Sequence, residues 1–231
     1  MNTTPAELDS VAAVAGALGL TLGDRQCSAL EQYLDMLCRW NATYNLTAVR
    51  DPAAMLGLHL ADCLAIVPPL TARLAQGRIS QVLDVGSGGG LPGAVLAVAE
   101  PGLEVTCLDA VAKKVAFVRQ VAGALALPNL RARHGRVEAL TGQVFDLVVS
   151  RAFASLAQFA AVSRHLLAPG GIWLAMKGRQ PLDEIAALPS DIEVFHVEPL
   201  LVPGLQADRC LVWMRPLALR AIPQPPNPPA H

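Results

Sequence analysis

The stretch LDVGSGGGLPG, from Leu83 to Gly93, places five glycines in eleven residues between a β-branched apolar run, QVLDV, and a second apolar run with helical character, LPGAVLAVAE. A strand that turns into a helix through so bare a backbone belongs to open α/β sheets, which bind ligands in the crevice beyond their strand ends. One or two glycines make a tight turn; five imply a ligand lying close against the main chain. One frame, Gly88-x-Gly90-x-x-Gly93, fits the dinucleotide fingerprint, and Asp109 ends the next strand about twenty residues on, as that fingerprint expects. Asp84 complicates the match. Two residues before the first glycine, its carboxylate meets an incoming pyrophosphate with like charge, costing about 4 kcal/mol at ~4 Å and an effective dielectric near 20. A nucleotide without phosphates suits the turn better.

The rest of the chain fits that frame. Before Ser80 the pattern is helical: PAELDSVAAVAGALG, then DRQCSALEQYLDMLCRWN with Asp24 as N-cap, then AAMLGLHLADCLAIV, opened by Asp51-Pro52 and stopped by Pro68-Pro69. After it, strands are predicted at QVLDV, EVTCLD, NLRARH, FDLVVS, GIWLAMK, IEVFHVE and RCLVWMR, most of them separated by helices. This alternation predicts a doubly wound parallel sheet. The last two strands, joined by the loop PLLVPGLQAD, pair antiparallel at the edge. Residues 1–79 thus read as a helical extension, 80–220 as the core, and 221–231, which contains PQPPNPPAH, as a disordered tail.

Composition narrows the function. The longest apolar stretch, Val11 to Leu20, is about half a bilayer span, and the N-terminus has no basic run leading into an apolar one, so a cytoplasmic protein is expected. Five scattered cysteines without a C-x-x-C pair, and histidines without ligand spacing, predict free thiols and no metal. The net charge of −1 hides an asymmetry: through Ala110, five basic residues stand against eleven acidic ones, and from Val111 onward thirteen against eight. A polyanion, if bound, belongs to the second half.

S-adenosylmethionine is a phosphate-free nucleotide with a positive end. Asp84 would stabilise that end and Asp109 would accept from the ribose hydroxyls, with Gly86 and Gly88 at the turn. D-V-G-x-G-x-G with an acid at the next strand end resembles the glycine motif of Rossmann-like class I methyltransferases. That likeness implies a seven-stranded, mostly parallel sheet with an antiparallel edge strand. The segment after the fourth strand, FDLVVSRAFASL, carries neither the Asn/Asp-Pro-Pro-aromatic motif of exocyclic-amine methylation nor the cysteine of pyrimidine C5 methylation; Asn227-Pro228-Pro229 is followed by Ala230 and lies in the tail.

SRAFASL, with WNATYNLTAVRDP, LDVGSGGGLPG and WLAMKG, in order between about Leu34 and Met214, resembles the GidB (RsmG) family, glucose-inhibited division protein B. The resemblance implies a bacterial methyltransferase acting on N7 of a guanine near the decoding site of 16S ribosomal RNA, position 527 in rRNA numbering, free or in the 30S subunit. It places S-adenosylmethionine contacts at Gly86, Leu91, Val137, Glu138 and Arg151. In LHLADC, His59 and Asp62 match the related pattern, whereas Cys63 stands where similar chains have serine.

A guanine N7 lone pair carries no proton, so the reaction needs alignment rather than a general base, and no catalytic dyad is expected. The product cation needs a carboxylate or an aromatic face; Asp62 and Phe153 are the candidates. Arg50, Arg151, Lys177 and Arg179 form the expected phosphate track. Trp40, Tyr44 and Asn45 are either a hinge between extension and sheet or plain packing. A monomer is expected. Two alternatives stay open at this stage: an NAD-dependent oxidoreductase, and an RNA-associated module of this fold without turnover.

Overall fold

The structure, a computed structural model, describes residues 8–75, 79–151, 153 and 155–217. Seven strands form one sheet: β1 (Gln81–Val85), β2 (Glu104–Asp109), β3 (Leu130–His134), β4 (Phe145–Ser150), β5 (Leu167–Lys177), β6 (Ile192–Pro199) and β7 (Cys210–Pro216). Their order is β3-β2-β1-β4-β5-β7-β6. The first five are parallel, and β7 runs antiparallel between β5 and β6. The expected antiparallel pair therefore closes one side of the sheet, with β7 one place in from the rim. Strand order reverses between β1 and β4, and the glycine turn sits at that switch point, where such sheets open a crevice.

Central strands covered on both faces read as unbroken apolar runs. Alternate residues go to opposite layers: Val82, Leu147 and Val149 pack with the N-terminal helices, α6 (Gly93–Ala99) and α7 (Ala112–Ala124), whereas Leu83, Val85 and Val148 pack with α8 (Leu156–Ser163) around Trp173 and Phe159. Trp173, fully buried, donates its indole N–H to Ser163 Oγ at 3.0 Å, which removes the cost of an unpaired polar group in that layer.

The N-terminal helices share the first of these layers with the sheet. In α1 (Val11–Ala17), Ser10 caps the helix by accepting the Ala13 N–H. In α2 (Asp24–Tyr44), Leu30, Tyr33, Leu37 and Asn41 are buried on one helical stripe. Asp24 is not the N-cap. Gly23 takes that place, and Gln26 closes the turn: its Oε1 accepts from the Gly23 N–H at 2.9 Å while its Nε2 donates to the carbonyls of Val98 and Ala99. One amide thus satisfies the start of α2 and the end of α6 together.

The apolar run opened by Pro52 also departs from the expectation of one helix stopped by prolines. It breaks into α3 (Pro52–Met55), a π-helical stretch (Leu56–Ala61) and α4 (Asp62–Leu64), and Pro68-Pro69 lie in the first turn of α5 (Val67–Leu74). A proline's missing N–H costs nothing in a first turn, where the N–H has no helical partner, so the pair starts a helix rather than ending one. The π-helical turn brings His59, and Asp62 just after it, to the wall of one crevice, a common use of such bulges.

Trp40 packs on Tyr44 and on Phe117 of α7, with ring centroids 4.9 and 5.5 Å apart. Asn45 ends α2 in the left-handed conformation (φ 51°). Trp40 thus fastens α2 to α7 by packing. All five cysteines are free thiols. Among the described residues no helix is long and apolar enough to cross a membrane, and no cluster of His, Cys, Asp or Glu is placed to hold a metal. The tail, 221–231, lies outside the described residues.

Candidate active site

The five glycines of the turn divide by what their missing side chains permit. Gly86 (φ 70°) and Gly88 (φ 58°) are left-handed, and a Cβ on either would project into open space. The other three are packing glycines: a Cβ at Gly89 would lie 3.0 Å from Leu37 Cδ1, at Gly90 3.1 Å from Ala94 Cβ, and at Gly93 only 2.5 Å from Cys107 Sγ. Backbone rotation and an open face coincide at the first two alone, so of the five only they leave the main chain open to a ligand's approach.

Asp109, at the end of β2, is fixed across this cradle. Its Oδ2 accepts from the Gly88 N–H at 2.9 Å and its Oδ1 from the Val111 N–H at 2.8 Å, leaving each oxygen one further lone pair. A cavity of about 230 Å³ opens beside it, lined by Gly86, Asp109, Gly135, Val137, Glu138 and Phe153. Phe153, also packed 5.3 Å from Phe159, therefore faces this cavity. Leu91 is buried in the core with its N–H donated to Ser87 O at 2.9 Å, and it does not line this cavity.

The fully buried Tyr33 ties α2 to the same loop by donating its hydroxyl to Gly89 O at 2.8 Å. Tyr33→Phe leaves that buried carbonyl without its partner, and destabilisation of about 1–2 kcal/mol is expected, read as a lower urea midpoint with an unchanged slope.

Asp84 lies beneath the cradle, fully buried. Its Oδ2 accepts from the Gly93 N–H at 2.8 Å, while Oδ1 is buried with no hydrogen-bond partner among the described residues. Burial lifts its pKa from 3.8 to about 7, against the pull of the Gly93 N–H and of Arg151; Asp109 adds to the rise. An orphaned carboxylate oxygen under the loop suits a ligand that brings a cation or a donor and opposes one that brings a pyrophosphate.

A second crevice, about 450 Å³, adjoins this region and is lined in part by Val49, His59, Asp62, Arg151, Lys177 and Arg209. Asn41 shapes its near wall, accepting from the Thr47 N–H and donating to Val49 O. Thr47 Oγ1 lies 2.6 Å from His59 Nε2, and His59 Nδ1 lies 3.1 Å from Leu58 O. With Nδ1 as donor and Nε2 as acceptor both ring nitrogens are used, and burial followed by Arg151 lowers the imidazole pKa, so His59 is neutral. Asp62 is almost fully buried; its Oδ1 accepts from Arg209 Nε at 2.7 Å and its Oδ2 lies 3.6 Å from Arg151 Nη1.

The structure brings most of the sequence-derived residues into these two adjoining spaces and leaves others outside. Asp109, Gly86, Val137 and Glu138 line the first, while Arg151 and Lys177 line the second. Lys177 departs from its expected part in a phosphate track: its ammonium is held by both oxygens of Glu184, at 3.0 and 2.8 Å, and Glu184 also accepts the Leu156 N–H. Arg50 and Arg179 are exposed and do not line the crevice. Asp62, a candidate for facing the product cation, is already engaged by two guanidiniums. Arg209 had no local signal in the sequence, since its partner lies 147 residues away.

Comparison with known proteins agrees with this geometry. A family profile described as GidB, rRNA small subunit methyltransferase G, matches residues 26–212. "Ribosomal RNA small subunit methyltransferase G" of Acidovorax sp. (strain JS42) is 58% identical over 211 residues, covering 88% of this chain and 93% of the relative. Among solved structures, TrmN from Thermus thermophilus superposes with a TM-score of 0.52 at 21% identity, covering 66% of this chain and 49% of that one. The glycopeptide N-methyltransferase MtfA, solved with sinefungin, gives 0.51 at 16% identity over 67% and 87% of the two chains. Likeness at that identity shows the fold alone, a methyltransferase fold; the profile and the curated relative show more, and the chain belongs to the family of rRNA small subunit methyltransferase G, GidB.

Proposed function

We propose that the chain transfers a methyl group from S-adenosylmethionine to N7 of a guanine of 16S rRNA, at position 527 in rRNA numbering. The observation that carries the cofactor is the cradle itself: Gly86 on the cavity, Gly88 with an open face, Asp109 with lone pairs to spare, and the orphaned Oδ1 of Asp84 beneath. When bound, S-adenosylmethionine supplies an electrophilic methyl group on a cationic sulfur. Asp109 would hold the ribose hydroxyls, Val137 and Glu138 would flank the adenine, and Asp84 and Arg151 would serve the amino-acid end.

The acceptor side supports the choice of nucleophile. His59 has both nitrogens occupied, Asp62 holds two arginines and Lys177 is held by Glu184, so no free base lines the crevice among the described residues. An acceptor there must bring its own lone pair, as guanine N7 does, and the protein's contribution is alignment and exclusion of water.

Labelled methyl transfer tests the proposal, with unmodified 16S rRNA and unmodified 30S subunits as separate acceptors and cleavage at 7-methylguanine to map the product. A single labelled guanine in the decoding region is the expected result; transfer to another base, or none with cofactor bound, overturns the acceptor. Asp109→Ala removes two charge-assisted contacts in the cradle as well as the ribose acceptor. Its dissociation constant for S-adenosylmethionine is expected to rise about 100-fold by calorimetry.

A further inference from the structure

Arg209, at the threshold of β7, has donors to spare. Its Nε is committed to Asp62 Oδ1 and one Nη1 hydrogen to the Asp208 carbonyl, at 2.7 and 2.9 Å. A guanidinium has five N–H groups, so three remain without a protein partner among the described residues. Its side chain is three-quarters buried, at 24% exposure, and lines the 450 Å³ crevice. The other cations there are differently placed: Lys177 is neutralised by Glu184, and Arg151 stands between Asp62 and the buried Cys63 thiol.

We propose that Arg209 is an RNA contact, binding a backbone phosphate beside the acceptor nucleotide, and that Asp62 is the positioning residue that aims it. The inference rests on the acceptor proposed above. Chemistry selects phosphate over base: an arginine reading guanine takes O6 and N7 together, and a donor on N7 would occupy the lone pair that must attack. A phosphate contact fixes the nucleotide and leaves N7 free. Asp62 supports this from the far side, because its grip on Nε leaves the Nη edge free for a planar, two-oxygen contact. The pair also joins the π-helical turn to the loop entering β7, so both walls of the crevice meet at one carboxylate.

The protein tests it through three single variants and one double variant. Binding to 16S rRNA is measured across a series of KCl concentrations, methyl transfer gives KM and kcat, and S-adenosylmethionine affinity reports an intact fold. Arg209→Gln keeps an N–H for Asp62 and removes the charge; its salt slope is expected to fall by nearly one unit and its KM for RNA to rise about tenfold, with cofactor affinity within about twofold of wild type. Arg209→Lys keeps the charge and loses the fork, so the slope is retained while KM rises by a smaller factor. Asp62→Asn should raise KM for RNA in the wild-type background and add little in the Arg209→Gln background, the non-additivity of a residue acting through another. An unchanged slope and KM in Arg209→Gln overturns the proposal, as does full additivity for Asp62. If wild type binds S-adenosylmethionine and RNA yet methylates neither acceptor, the reading of the reaction fails instead, and the salt slope still decides the role of Arg209.

Discussion

Between pH 4 and pH 8 the cofactor-free protein is expected to lose about 4 kcal/mol of stability relative to Asp84→Asn. The folded protein holds the Asp84 proton up to about pH 7, whereas the unfolded chain releases it near 3.8. Within that window the unfolded state binds fewer protons, so stability falls as pH rises, and the loss is complete above 7. Asn keeps an acceptor for the Gly93 N–H and has nothing to ionise, so other titrations cancel in the difference. Cofactor binding should run the opposite way: a cation beside Oδ1 favours the carboxylate, so wild-type affinity for S-adenosylmethionine strengthens as pH rises toward 7, while the affinity of Asp84→Asn stays flat and is roughly 10- to 100-fold weaker at pH 8. Urea unfolding and calorimetry at four pH values read both. Parallel stability profiles for the two proteins would falsify this account of Asp84.

The second large effect is steric. At Gly93, the first residue of α6, an added methyl would sit 2.5 Å from Cys107 Sγ and 2.9 Å from Asp84 Oδ2, both on buried strands. Gly93→Ala must push α6 away from β1 and β2 and stretch the Gly93–Asp84 bond. About 3 kcal/mol of destabilisation is expected, or roughly a 10 °C fall in Tm. Gly86→Ala is the control for the division of the loop: its methyl meets no protein atom, so stability falls by only about 1 kcal/mol, from the left-handed backbone, while cofactor affinity falls far more. Equal effects of the two substitutions on Tm would refute the distinction between packing and ligand-facing glycines.

Much of the architecture was legible because central strands announce themselves. QVLDV, EVTCLD and FDLVVS match β1, β2 and β4 residue for residue, since strands covered on both faces leave no polar ambiguity. Asp109 and Gly86 were legible because a glycine turn followed by an acid at the next strand end is a local pattern. Helix boundaries were harder. Pro68-Pro69 read as a stop, although proline fits a first turn equally well, and the extra residue of a π-helical turn leaves an apolar run looking like an ordinary helix. Charge partners were not legible at all. Lys177 looked available because Glu184 sits in a helix of five residues with no strong pattern, and Arg209 read only as the first residue of a predicted strand because its partner Asp62 is 147 residues away.

The late insertion of β7 sets an order of assembly during synthesis. Everything that forms the cofactor cradle, from Tyr33 to Arg151, is in place once β4 has been made, whereas β5 keeps a bare edge until the chain has passed it, made β6, and turned back to fill the gap. Some thirty residues thus separate β5 from the strand that pairs its open edge, and until they are made that edge can pair with another chain. Arg209 stands at the head of the strand that ends this exposure, so the crevice gains its last wall in the same event that seals the sheet.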